Sequence, residues 1–283
     1  MATKKDIQFH YDVDNNFFSL FLDKQYKMYS CGVWENASNL EEAQKNKLKR
    51  LSEFAHVKKG HRVLDIGCGW GGMLEYCVKN FEIDYVKGIT LSQAQYDYII
   101  QKNIPFTSIA LCSWEDLKSD IKFDSIISIG AMEHFASLED LKHGKQVEVY
   151  RKFFERCLDV STQDSYLGLQ TIITAKKPDS LQSMKDTYYL LKNVFPGSAL
   201  PDIETLQEAM FKLYEPVTIK MIGLDYSRTL TEWKNRLNIN EDKVMREYGK
   251  NLFNHYNHYF EAAIRSFENG YTSLLQMSLK KII

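Results

Sequence analysis

The chain has 283 residues, 44% hydrophobic and 13% aromatic, enough apolar material for one large α/β core with appendages. Its 36 basic and 37 acidic side chains are interspersed and leave a net charge of −1, which removes the electrostatic footprint of a nucleic-acid-binding protein. No apolar run approaches the roughly 20 residues of a membrane span, Met1 to His10 lacks the apolar centre of a signal peptide, and five cysteines are scattered without metal-ligand spacing. The expectation is a cytoplasmic protein, holding no metal, whose membrane contact is at most peripheral.

Residues 13–23 and 40–56 have helical apolar spacing, and the aromatic, irregular stretch from Tyr26 to Glu35 between them is expected to fold as a flap over a cofactor. From about residue 62, short apolar runs alternate with amphipathic stretches, the pattern of βαβ units and a mostly parallel sheet. Strands are expected near 62–66, 84–89, 105–111, 123–129, 166–173, 216–222 and 271–279. Helices are expected at 70–80, 91–102 and 145–158, with Thr90 or Ser92 able to cap the second. Pro178, Phe195-Pro196-Gly197 and Leu200-Pro201 break up an insertion at 178–214, and a further helical piece spans about 227–267. One domain accounts for the whole: a helical flap at 1–56, a core at 57–177 and 215–283, and a lid at 178–214.

Open parallel sheets bind ligands beyond the carboxyl ends of their strands. The first strand runs into Asp65-Ile66-Gly67-Cys68-Gly69-Trp70-Gly71-Gly72, where glycine lets the backbone take positive φ and approach a ligand closely. The glycines alternate, unlike the dinucleotide fingerprint, and no Gly-Lys-Ser/Thr follows as in a P-loop. The segment resembles the S-adenosylmethionine loop of class I methyltransferases. That resemblance gives Asp65 the cofactor's amino-acid end or the shape of the loop. At the end of strand two, where the class places a ribose-binding acid, this chain reads Gly88-Ile89-Thr90-Leu91-Ser92-Gln93-Ala94-Gln95, so Thr90 and Gln95 must serve instead or are simply caps and surface. Trp114 after strand three can cover an adenine while Glu115 or a backbone group reads its edge, or it can be ordinary packing. Beyond strand four, Glu133 can orient substrate or hold a proton acceptor and His134 can move a proton near neutral pH; the bland alternative is a helix cap and a solvated imidazole.

Tyr29-Ser30-Cys31, the glycine loop, Gly88 to Ser92, Trp114-Glu115, Gly130-Ala131-Met132-Glu133-His134, Phe195-Pro196-Gly197 and Tyr226 come in an order similar to the cyclopropane fatty acid synthases, especially the mycolic acid cyclopropane synthases. The likeness runs from about Tyr11 to Met277. It implies a Rossmann-like class I methyltransferase fold, a seven-stranded mostly parallel sheet with a helical flap and an inserted lid. It also implies S-adenosylmethionine as donor and an alkene in a lipid chain as acceptor. The cofactor set it implies is Tyr29, Ser30, Asp65, Gly67, Gly69, Thr90, Leu91, Gln95, Trp114, Glu115 and Ile129. The catalytic set is Cys31, Glu133, His134, Gln170 and Tyr226, and in the family Cys31, Ile129, Glu133 and Tyr226 fall around a bound bicarbonate. One departure stands out: the family's fifth strand ends Leu-His-Thr-Ile, whereas this chain reads Leu169-Gln170-Thr171-Ile172. Gln170 can donate a hydrogen bond to an anion but cannot carry charge or relay a proton, which weakens the case for bicarbonate.

An alkene is a weak nucleophile, so its attack on a sulfonium methyl depends on placement in a dry pocket. The carbocation left behind can be met by π faces such as Tyr226, Trp34 or Phe18. Proton loss from the new methyl group closes a cyclopropane ring, and loss from a neighbouring carbon gives a methylated alkene. The acceptor expected is a hydrophobic small molecule or a carrier-bound acyl chain. Lys185 and Lys192 read as a solvated face or a dock for an acidic carrier, and the apolar stripe from Tyr188 to Phe195 as lid packing or a tunnel wall. Two other readings stay open: a small-molecule C-, N- or O-methyltransferase on the same scaffold, and a catalytically silent binding scaffold.

Overall fold

The computed structural model describes residues 15–282. Seven strands lie in one sheet: β1 (Arg62–Ile66), β2 (Tyr85–Thr90), β3 (Thr107–Leu111), β4 (Phe123–Ile129), β5 (Ser161–Thr174), β6 (Tyr214–Met221) and β7 (Thr272–Lys281). Their order is β3-β2-β1-β4-β5-β7-β6, with β7 antiparallel to both β5 and β6 and the other pairings parallel. Strands β1 and β4 are buried over nearly their whole length, as expected of central strands covered on both faces. Every expected strand is present. The fifth begins five residues earlier than its apolar run, because Ser161 pairs with Phe123 ahead of a register shift.

The helices are α1 (Asn15–Phe18), α2 (Leu40–Phe54), α3 (Gly72–Asn80), α4 (Gln93–Lys102), α5 (Leu138–Lys142), α6 (Gln146–Val160), α7 (Leu181–Asn193), α8 (Ile203–Met210), α9 (Gly223–Ile239), α10 (Glu241–Tyr248) and α11 (Lys250–Glu268). The helix expected at 13–23 is one turn only. Its first two residues, like the Met1 to His10 stretch, lie outside the described residues. After Phe18 the chain turns, and the Asp23 carboxylate accepts the N–H groups of Tyr26 and Met28 at 2.7 Å each, which redirects it into the irregular strap. The single helical piece expected at 227–267 is three helices, interrupted at Asn240 and at Gly249, whose φ is +87°.

One apolar layer packs α6 and α8 against the sheet, and another packs α2 and α3 against it. A third cluster is dominated by aromatic rings: Phe17, Phe18 and Phe21 lie against Tyr29, Trp233, Tyr256 and Phe260, and the cluster reaches Trp70 in the loop after β1. Helix α7 is tied to α11 by Arg265, whose Nε and Nη2 each donate to Asp186 at 2.8 Å. Among the described residues no helix is long and apolar enough to cross a membrane.

Candidate active site

Strand β1 ends in a loop that only glycine can make. Gly67 has φ +83°, and a Cβ there would lie 2.6 Å from the Ala131 Cβ, well inside contact distance. The N–H groups of Gly67 and Cys68 both donate to the Ile89 carbonyl at 3.0 Å, so the loop is fixed to the end of β2 and pressed against the end of β4. Around it opens a cleft of about 1080 Å³ of free space, open solvent included. The strap Lys27 to Ser30 covers it, and Asp65 to Trp70, Ile89 to Ser92, Gln95, Cys112 to Trp114, Ile129 to Ala131, His134 and Phe135 complete the lining.

Ten of the eleven expected cofactor residues are in that lining. Glu115 is not: it is exposed, because the Ser113–Asp116 turn sends Trp114 inward against Phe135 and Phe153 and its neighbour outward. Thr90 and Gln95 form a prebuilt polar pair, the Thr90 hydroxyl donating to Gln95 Oε1 at 2.7 Å. Ser92, not Thr90, caps α4.

Asp65 is buried, and its Oδ1 has no hydrogen-bond partner among the described residues. Burial raises its pKa to about 7, opposed by the charge of Lys47. Lys47 itself is fully buried, and its Nζ donates to Ser30 Oγ at 2.7 Å while Gln44 Nε2 donates to the Ser30 carbonyl at 2.9 Å. Burial lowers the Lys47 pKa to about 7 against the pull of Asp23, Cys31 and Asp65. Helix α2 thus holds the strap from beneath with two polar side chains. Neither was anticipated, although Leu40, Ala43, Gln44, Lys47, Leu48 and Leu51 trace one helical face and thereby mark both as inward.

Glu133 and His134 occupy one 3₁₀ turn after β4 and face different spaces. His134 lines the cofactor cleft, lies 3.3 Å from Ser198 Oγ through Nδ1, and is held neutral by burial, its pKa lowered to about 4. Glu133 lines a second, largely apolar cavity of about 720 Å³ of free space, open solvent included, with Ile172, Leu190, Leu191, Phe195, Tyr226, Leu230, Tyr259 and Phe267 among its walls. Its Oε1 accepts the Ile172 N–H at 2.7 Å, while Oε2 is buried without a partner among the described residues. Burial raises its pKa to about 7, against the stabilising N–H of Ile172. Tyr29 of the strap, which borders the cleft, and Tyr259, which borders the cavity, belong to the same aromatic cluster.

Tyr226 is in the cavity wall, its ring 4.6 Å from that of Phe267. Cys31 and Gln170 line neither space. Cys31 is buried beside Thr229, and burial pushes its thiol pKa well up. Gln170 lies behind the wall, its Oε1 accepting from Gln276 Nε2 at 2.7 Å and its own Nε2 unpartnered among the described residues. The other two expected π faces are committed elsewhere. Trp34 stacks under Arg228, whose guanidinium carbon is 4.0 Å from the ring, and Phe18 packs edge-on to Tyr29. Of the stripe on the insertion, Leu190, Leu191 and Phe195 face the cavity, whereas Tyr188 is exposed with Lys192 over its ring.

Residues 1–277 match the family model for mycolic acid cyclopropane synthetase. The chain belongs to this family. Among similar proteins is the S-adenosylmethionine-dependent methyltransferase UmaA of Mycobacterium tuberculosis, 31% identical over 96% of this chain and 95% of that one. The cyclopropane synthase MmaA2 from Mycobacterium tuberculosis superposes with a TM-score of 0.89 at 28% identity, covering 98% of each chain. The mycolic acid cyclopropane synthase CmaA1, solved in complex with SAH and CTAB, gives 0.88 at 27%, again over 98% of each. The fold is that of the class I methyltransferases, and the protein is an S-adenosylmethionine-dependent methyltransferase of the cyclopropane synthetase family.

The residues present fit that donor. The unpartnered Asp65 oxygen offers an acceptor, the bare Gly67 backbone leaves room for close approach, and the Trp114 indole supplies a flat apolar wall.

Proposed function

We propose that the enzyme transfers a methyl group, as methyl or net methylene, to an alkene carbon of a lipid, acyl or isoprenoid-like chain held in the apolar cavity. The observation that supports this most is the meeting of two unlike spaces at one turn: a polar-rimmed cofactor cleft touching His134 and an apolar cavity touching Glu133. S-adenosylmethionine supplies the electrophilic methyl. Asp65 and the strap residues Tyr29 and Ser30 hold and cover the donor; Thr90, Leu91, Gln95, Trp114 and Ile129 border it. Leu190, Leu191 and Phe195 keep water from the acceptor and align its chain. Tyr226 faces the developing carbocation. Glu133, oriented by the Ile172 N–H and tuned to about 7 by burial, is the proton acceptor. His134, neutral by burial, borders the donor side and orients rather than carries charge.

Two buried groups support a bicarbonate site despite the lost histidine: among the described residues Glu133 Oε2 is an acceptor and Gln170 Nε2 a donor without a partner, the two groups that a hydrogen-bearing oxyanion needs. Glu133 and Gln170 would hold it, and it would supply a proton relay. We read residues 1–56, 57–177 with 215–283, and 178–214 as flap, core and lid of one working unit in the cytoplasm. Its acceptor is free or carrier-bound, and its membrane contact is at most peripheral.

The test uses donor carrying a trideuteriomethyl group and a panel of unsaturated acyl thioesters. Loss of one deuteron with loss of the double bond identifies ring closure. Retention of all three with a surviving double bond identifies C-methylation. Transfer only to nitrogen or oxygen acceptors of small molecules, or no transfer at all, overturns the lipid reading.

A further inference from the structure

We infer that Arg50 and Gln276 are positioning residues that lock Gln170 as a hydrogen-bond donor, so that a neutral amide holds an oxyanion oxygen next to Glu133. This rests on the reading of an oxyanion between Glu133 and Gln170, and it assigns the means by which a chain without the family's histidine keeps such a site.

The inference follows from hydrogen-bond polarity. The two ends of a glutamine amide have nearly the same shape, and only its partners decide which is oxygen. A guanidinium has donors and no acceptor. Arg50 Nη1 stands 3.3 Å from one end of Gln276, so that end must be Oε1. The other end of Gln276 is then Nε2, and it donates to Gln170 at 2.7 Å, which makes the contacted Gln170 atom Oε1. What remains is Gln170 Nε2, on a residue only 1% exposed, with no partner among the described residues. A buried N–H group without a partner is costly, so it calls for an acceptor.

The polarity is anchored at the surface. Arg50 Nη2 pairs with Glu35 Oε2 at 2.6 Å, which holds the guanidinium on the rim while Nη1 reaches inward. Gln170 and Gln276 face each other directly across β5 and β7, so backbone register keeps the amides in reach. Gln170 and Ile172 share one face of β5, and the Ile172 N–H holds Glu133. Gln170 also stands opposite Ile129 at the end of β4, and the Gly130 N–H donates to its carbonyl at 2.9 Å, three residues before Glu133, so the fixed donor and the carboxylate belong to the same corner of the sheet interior. A ligand with one acceptor oxygen and one O–H satisfies both, whereas an ammonium or an amine faces the wrong end of Gln170. The relay predicts a requirement for a donor at position 50, not for any particular packing.

The experiment is equilibrium binding of ¹³C-bicarbonate to the S-adenosylhomocysteine-loaded enzyme, followed by carbon NMR line broadening, with affinity for S-adenosylhomocysteine measured in parallel as the test of folding. Wild type binds; Gln276→Leu and Arg50→Met each weaken bicarbonate about tenfold or more, with cofactor-product affinity held within about twofold. Gln170→Glu, isosteric but with its donor replaced by an acceptor, abolishes binding. Bicarbonate binding unchanged in Gln276→Leu and Arg50→Met overturns the relay while leaving the oxyanion site standing. Absence of binding to wild type overturns both. Should Arg50→Met fail to fold, Arg50→Lys and Arg50→Glu decide the matter. Binding kept by Lys and lost with Glu supports the relay, and equal behaviour of the two overturns it.

Discussion

Lys47 Nζ donates to Ser30 Oγ at 2.7 Å in a pocket from which solvent is excluded. A lysine in such a place is costly in its charged form, and its pKa of about 7 lies far below the ordinary value of 10.5. Between those values the unfolded chain binds the extra proton, so stability rises with pH across that window. Asp23, Cys31 and Asp65 are the ionisable groups facing it. Lys47→Met removes this dependence. The stability of wild type relative to the variant should therefore grow by about 2 kcal/mol between pH 7.5 and 9 in urea unfolding. A difference that does not change with pH refutes the buried-lysine account.

Asp65 is an acid raised to about 7, so its carboxylate form is present above that pH and lost below it. If it accepts from the ammonium of the cofactor, S-adenosylhomocysteine affinity falls by up to about tenfold per pH unit below 7. Asp65→Asn should bind about ten- to a hundredfold more weakly at pH 8 and show a flat profile. Calorimetry from pH 5.5 to 8 reads both, and a profile unaltered by the substitution rules this role out.

Glu133→Gln keeps the shape of the side chain and removes its capacity to take a proton. Turnover should drop by about 10²- to 10⁴-fold with cofactor affinity unchanged. In wild type the ionised base is present above its pKa, so the rate rises with pH through about 7, and this limb vanishes in the variant. Pre-steady-state product formation across pH separates the two enzymes; the same rising limb in both would assign it to another group.

Gly67→Ala places a methyl group against Ala131 in a backbone region that disfavours it. The expected outcome is a loss of about 1–3 kcal/mol of stability together with weakened cofactor binding, since the loop must shift away from the cleft. Thermal unfolding with and without S-adenosylhomocysteine measures both; a fully wild-type response to the ligand would show that the loop does not contact it.

Much of this was legible in the sequence because it is written in local patterns. All seven strands could be read from apolar runs, and the glycine loop from Asp65 to Gly72 marked the cleft it now borders. What escaped is long-range. A lysine at position 47 reads as solvated until the helical face it shares with Leu48 and Leu51 is traced, and the sense of the Gln170 amide depends on Arg50, 120 positions earlier in the chain. Glu115 went the other way: its neighbour Trp114 lines the cleft, and a one-residue step in a turn is enough to leave the acid outside. The π faces of Trp34 and Phe18 were over-read because aromatic content says nothing about which ring faces a void.

The fork by which Arg265 grips Asp186 joins two neighbouring helices that both contribute side chains to the lining of the apolar cavity. One ion pair thus ties the inserted helix to the helix beside it, and the shape of the cavity is set by the two together rather than by either alone.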